Sequence, residues 1–254
     1  MKILVCIKRV PAPGARIVLT ADGLAIDSAL LGFTVSPHEE CAVEEAVRQV
    51  EKHGGSVTVL TLGPVEAEEQ LRTAVSVGAS AAVLLKTDGA DWDPVATAKA
   101  LATAIRTLEE QDGSFDLILF GNEAADSGGY QVGIRVAHGL GRPIVSGIKG
   151  LDVADGLVTA RRDTPTGVEI YQLAIPSVLA VREGINLPRY PTMKGRLAAR
   201  KVEVAHLAPE RAGSGQSLIT LVSPPAQDTP TEILGQGPEA ASAVVDLMER
   251  LGVI

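Results

Sequence analysis

Between Lys2 and Gly141 the spacing of apolar residues switches repeatedly between two habits. Short continuous runs, "KILVCI" (2–7), "SVTVLTLG" (56–63), "AAVLLK" (81–86) and "FDLILFG" (115–121), read as buried strands. Between and after them lie longer stretches with an apolar face. In residues 36–52, Ala42, Val43, Ala46, Val47 and Val50 form one stripe at helical spacing. Ser36 stands where a helix cap is needed, Pro37 at the first helical position, and Glu39 where a capping box requires it. Helices are predicted likewise over 64–78, over 93–110 with Asp93 as cap and Pro94 behind it, and over 129–141. Residues 9–35 show little period and are predicted to be a long loop.

Four alternations of strand and helix are the signature of an open, doubly wound, mostly parallel α/β sheet of Rossmann-like, nucleotide-binding type. Beyond Gly141 the pattern changes. Alternating apolar residues around Asp155-Gly156 predict a hairpin, and strand-like runs over 168–183 predict either extra sheet strands or a small side sheet. Residues 185–201, "INLPRYPTMKGRLAARK", carry neither period and read as irregular chain. A Pro/Ser/Gly-rich loop over 206–232 and an amphipathic helix over 238–252 close the pattern. The organisation expected is an α/β domain over 1–204, including 185–201, and a C-terminal arm over 205–254 that lacks sheet alternation and docks on a partner.

Composition sharpens this. Hydrophobic residues make up 46% of the 254 but aromatics only 3%, so the core must be aliphatic, as suits a parallel sheet covered by helices. A net charge of −8 argues against nucleic acid as main partner. Cys6 and Cys41 both lie in apolar patterns and read as buried thiols rather than a disulfide. The first apolar run is too short for a signal peptide, and no stretch reaches membrane-spanning length. A soluble, cytoplasmic protein with no membrane insertion is expected.

In such sheets ligands bind beyond the carboxyl ends of strands. Three loops qualify: the one after Cys6, with Lys8 and Arg9; "SPHEE" (36–40); and "GNEAADSGGYQVG" (121–133). In the third, Gly128-Gly129 permits close backbone approach, and the following helix offers free N–H groups to an anion such as phosphate. A plain glycine-rich turn remains the other reading. The spacing is neither a Walker A loop nor GxGxxG, and it lacks the order of an ATP pyrophosphatase loop, so binding without hydrolysis is favoured. Ser127 is not in a nucleophile elbow, and the four histidines show no metal spacing. His38 can line the crevice, whereas His138 reads as a helix-face residue. Glu39-Glu40 and Glu44-Glu45 suit a helix start and a solvated face. No catalytic pair is defensible, and an enzyme is not expected.

Four blocks, "ILVCIKRVP", "SPHEECAVEEAV", "GNEAADSGGYQVG" and "INLPRYPTMKGRLAARK", together resemble the beta subunit of electron transfer flavoprotein. In the last, Asn186, Pro188, Arg189, Tyr190, Thr192 and Met193 fit the family pattern in register. The resemblance implies a heterodimer with an alpha subunit that holds most of a redox-active FAD, while this subunit buries an AMP of structural role. By position it implies an AMP pocket of Cys6, Ser36, Pro37, His38, Glu39, Leu62, Gly121, Asn122, Asp126, Gly129, Tyr130, Gln131 and Val132. It implies electron flow from flavoprotein dehydrogenases, such as acyl-CoA dehydrogenases, to a quinone oxidoreductase. It also makes 185–201 a recognition loop, with Asn186, Pro188, Arg189, Tyr190, Met193, Lys194 and Arg196 facing the dehydrogenase and Met193 as anchor. The chain departs from the family pattern at Tyr130, where a smaller or polar residue is common, and at Arg162, where a glutamate is common. Two alternatives stay open: an electron-bifurcating member with a second FAD in place of AMP, and a stand-alone nucleotide-binding regulator of the universal-stress type, which leaves the chain beyond residue 180 unexplained.

Overall fold

The first helix begins where its capping residues stand. In the computed structural model, which describes residues 1–89, 91–213, 217–225 and 231–254, the Ser36 hydroxyl accepts from the Glu39 N–H. The Glu39 carboxylate in turn accepts from the Ser36 N–H, completing the capping box. The elements run in order as β1 (Lys2–Cys6), β2 (Val10–Pro11), β3 (Phe33–Thr34), α1 (Pro37–His53), β4 (Ser56–Gly63), α2 (Glu68–Ser76), β5 (Ala81–Lys86), α3 (Pro94–Asp112) and β6 (Leu117–Gly121). Then follow α4 (Val132–Leu140), β7 (Ile144–Ile148), β8 (Gly150–Ala154), β9 (Leu157–Thr164), β10 (Gly167–Ala174), β11 (Ser177–Val181), α5 (Met193–Lys201), β12 (Val204–Leu207) and α6 (Ala241–Arg250).

The main sheet has seven strands in the order β12-β5-β4-β1-β6-β11-β7, every pairing parallel. From β1 the chain winds outward through β4 and β5, then returns to the other side of β1 as β6. That reversal makes a switch point between β1 and β6, the place where an α/β sheet opens a crevice. Both faces of the sheet are covered, which is why its strands read as continuous apolar runs. Ile3 and Val5 face α1 and α2, packing with Ala42, Ala46, Val47 and Leu71, while Leu4 faces α3 and α4 with Leu101, Ile105 and Val136.

The hairpin expected at Asp155-Gly156 is present. Asp155 has φ 51° and Gly156 φ 74°, and β8, β9 and β10 form an antiparallel side sheet around it. The chain from 168 to 183 does both things expected of it, since β10 joins the side sheet and β11 enters the main sheet between β6 and β7.

Three readings need correcting. Residues 193–201 are a helix rather than irregular chain; Thr192 caps it by accepting from the Gly195 N–H, and Arg72 donates to the Ala199 and Val202 carbonyls at its far end. Ala205–Leu207, read as part of the arm, belong to β12 and pair with β5 at the sheet edge. The long loop 9–35 holds the short β2–β3 ladder and a Leu19–Ile26 bridge. Of the loop expected over 206–232, residues 214–216 and 226–230 lie outside the described residues. The final helix is present as α6, with none of its residues buried.

Candidate functional site: the β1–β6 crevice and the basic segment

Glu39 is the hub of the crevice. Its buried carboxylate accepts from the Ser36 N–H, the Ser36 hydroxyl and the Lys8 backbone. So the chain leaving β1 and the start of α1 are tied to one side chain. Gly121, at the end of β6, lies directly against it, and a Cβ there would come within 2.6 Å of Glu39 Cγ and 3.3 Å of His38 Cβ. Only glycine lets β6 end this close to α1. The Thr61 hydroxyl donates to the Ile7 carbonyl at 2.7 Å, pinning the exit of β1 from the β4 side.

Burial pushes the Glu39 carboxyl up to about 7, against the opposing pull of the Lys8 and Ser36 bonds. Burial, reinforced by the nearby Glu39, also pushes up the Cys6 thiol, which stays protonated. Cys6 and Cys41 are both buried and free, as their patterns predict.

The loop 122–131 closes the other wall. Asn122 donates its N–H to the Val181 carbonyl, the Ala124 N–H donates to the Gly129 carbonyl, and Gly128 turns the chain with φ 61°. Asp126 pairs with Lys8 at 2.6 Å across the mouth. Helix α4 begins at Val132 with Gln131 as its cap residue but with no side-chain cap, so its first-turn N–H groups keep their capacity for an anion. The Gln131 side chain instead accepts from Arg135, one turn along the same helix. Leu62 and Val132 are half-buried against the α3–α4 face of the core. Tyr130 is exposed and donates to Glu123. Pro37 is exposed at the first helical position.

Beside the crevice lies a polar cavity of about 500 Å³ lined by His38, Glu123, Lys149, Arg182, Glu183 and Gly184. His38 Nδ1 accepts from the Glu183 N–H at 2.8 Å, with Nε2 3.7 Å from Glu123. Sequence reading had no means to name Lys149 and Arg182; placing Arg182 at a strand's carboxyl end requires knowing that β11 joins the parallel sheet. Arg162, the family departure, is answered within this chain. It lies opposite Glu169 on β10, pairs with it, and donates to the Tyr171 hydroxyl and the Ser146 carbonyl.

The basic segment divides into two kinds of residue. Asn186 and Arg189 turn inward onto α1, and Pro188 is half-buried between them. Tyr190 and Met193 are 93% and 71% exposed, with Lys194 and Arg196 exposed beside them on α5. Glu44 and Glu45 are not on a solvated face: both are buried, because this segment covers them.

A family model described as the electron transfer flavoprotein domain matches residues 24–212. The match runs through the segment beyond residue 180 that a universal-stress-type regulator leaves unexplained. Over 268 aligned residues the chain is 34% identical to the electron transfer flavoprotein subunit beta of Mycobacterium tuberculosis H37Rv, covering 99% of each chain. It is 34% identical to that of Syntrophomonas wolfei, over 98% of this chain and 96% of the relative. It is 31% identical to that of Bacillus subtilis, over 98% and 97%. No helix among the described residues is long and apolar enough to cross a membrane, and none of them form a cluster suited to a metal ion. A parallel sheet with a crevice at its switch point, a basic segment strapped to the helix that opens that crevice, and similarity along nearly the whole chain agree: this chain belongs to the electron transfer flavoprotein family, on its beta-subunit branch.

Proposed function

We propose that this chain is the beta subunit of a heterodimeric electron carrier. It would work with an alpha subunit, taking electrons from a flavoprotein dehydrogenase such as an acyl-CoA dehydrogenase and passing them to a quinone oxidoreductase. The observation that carries the reading is membership of the family over nearly the full chain. The FAD between the subunits supplies the redox chemistry when bound; the protein orients and shields it. No substrate bond is remade by this chain, so it is a carrier subunit rather than an enzyme. The chain beyond β12 would form an arm on the partner subunit, consistent with the exposed apolar side chains of α6 and its surroundings, Val244, Val245, Leu251 and Ile233.

AMP would occupy the β1–β6 crevice. The first turn of α4, with no side-chain cap, and the Gly128-Gly129 turn would receive its phosphate, with Lys8 and Asp126 at the mouth. Ser36, His38 and Glu39 would line the opposite wall, Cys6 and Gly121 the floor. Tyr190, Met193, Lys194 and Arg196 would meet the dehydrogenase. Denaturing the purified alpha–beta complex and identifying its released nucleotides tests this. One FAD with one AMP is the expected result. Two FAD without AMP would make the crevice a second flavin site, and a complex without flavin would refute the carrier reading.

A further inference from the structure

Four of the polar side chains on one stripe of α1 have partners in a segment some 140 residues away. Asn186 donates its side-chain amide to the Cys41 carbonyl and to Glu45, both at 3.0 Å. Arg48 donates to the Leu187 carbonyl. The Arg189 guanidinium forks onto both oxygens of Glu44, at 2.9 and 3.1 Å, and onto both oxygens of Glu51, at 2.6 and 2.9 Å, while the Arg189 N–H adds a third bond to Glu44. Arg48 completes the Glu44 set at 2.6 Å. Positions 41, 44, 45, 48 and 51 are the three- and four-residue neighbours that line one side of a helix. Glu44 is only 3% exposed. Burial raises its carboxyl, but the bonds from Arg189 and Arg48 outweigh that and hold it below its ordinary value.

The far end of the segment is fixed separately. Gly195 sits so close to α2 that a Cβ would lie 2.0 Å from the Ser76 carbonyl oxygen, and Arg72 on α2 grips the carbonyls at the end of α5. Between these two clamps the segment shows its apolar side chains to solvent. Leu187, Tyr190, Met193 and Leu197 are all exposed, while Asn186 and Arg189 face the protein.

We infer that Arg189 and Glu44 are positioning residues for docking: the fork from Arg189 onto the buried Glu44 holds residues 186–190 in the shape that presents Tyr190 and Met193 to the electron donor. The inference rests on the carrier reading above. A loop ordered before encounter spares the complex the cost of ordering it on binding. Arg189 therefore serves the partner without touching it, by fixing its neighbours.

The test uses the alpha–beta complex reduced by an acyl-CoA dehydrogenase, with KM for the complex and kcat measured separately. Arg189→Met should raise KM about tenfold, with kcat and bound flavin unchanged. Arg189→Lys, which keeps the charge but loses the fork, should fall between. Backbone hydrogen exchange at residues 186–192 should quicken in the same order, and α1 should stay protected. Unchanged KM in Arg189→Met, with the parent complex reduced normally, overturns the positioning role and leaves the carrier reading standing. Loss of flavin or a fall in kcat would make Arg189 a part of the general fold and also overturn it. A parent complex that accepts no electrons from the dehydrogenase sinks the carrier reading and this inference together.

Discussion

Glu39 and Glu44 are the same residue type, five positions apart on one helix and both largely closed off from solvent, yet their carboxyls are pushed in opposite directions. Glu39, at the crevice, has only hydroxyl and backbone N–H partners, and burial wins. Glu44, under the basic segment, has two arginines, and they win. What decides a buried carboxylate is how far its burial is answered by charged neighbours from another part of the chain. The same contrast runs through the two regions. The crevice is assembled mostly from backbone groups and glycines. The basic segment turns Asn186 and Arg189 inward and leaves Leu187, Tyr190, Met193 and Leu197 outside, beside the exposed Lys194 and Arg196.

The most forceful way to break the contrast is at Glu39. Its folded value of about 7 lies above the 4.5 of an ordinary glutamate, so its favourable contribution is fully present below pH 4.5 and is lost as pH rises through about 7. Glu39→Gln stays neutral at every pH and keeps an oxygen for the capping box. Its unfolding free energy should match the parent near pH 4.5 and exceed it by about 3 kcal/mol at pH 8.5. Parallel denaturation curves at the two pH values read this directly, and a gap that does not widen with pH would remove the claim. A smaller effect is expected at the rear clamp. Gly195→Ala should cost about 2 kcal/mol, because the added methyl meets a backbone oxygen and α5 must move from α2, partly offset by better helix propensity. Urea titration measures it, and a neutral result would mean that the α2–α5 contact is slack. The mildest changes concern what the segment shows outward. Met193→Ala should raise the donor KM roughly tenfold at any ionic strength, whereas Lys194→Glu should slow association only a few-fold and only at low salt. Stopped-flow reduction across a salt series separates the two, and equal salt dependence would erase the division between anchor and steering charge.

Local patterns in the sequence carried the α/β plan well. Strand runs, the Ser36 and Asp93 caps and the Asp155-Gly156 turn each depend on residues a few places apart, and each is where the pattern put it. What was not legible depends on distant partners. β11 slips between β6 and β7, and no local period can state that order. α5 was hidden because residues 185–201 carry no clear helical period; Pro191 precedes the Thr192 cap, and Gly195 is there for close approach to α2. Glu44-Glu45 read as solvated because the Arg189 and Asn186 that cover them lie far along the chain. At the crevice, the loops that pattern and resemblance named do converge on β1, α1 and β6. Lys149 and Arg182 could not be named until the strand order was known.

Helix α1 carries the capping box at one end and the Arg189 fork from its second turn onward, with no break between. It is thus a ruler with marks at both ends. At 1.5 Å and 100° per residue, one residue inserted after Cys41 would hold Ser36 and Glu39 in place. Glu44 would then swing about a quarter of a turn out from under Arg189. The crevice and the basic segment share a single zero, so the length and phase of this helix set where both of them stand.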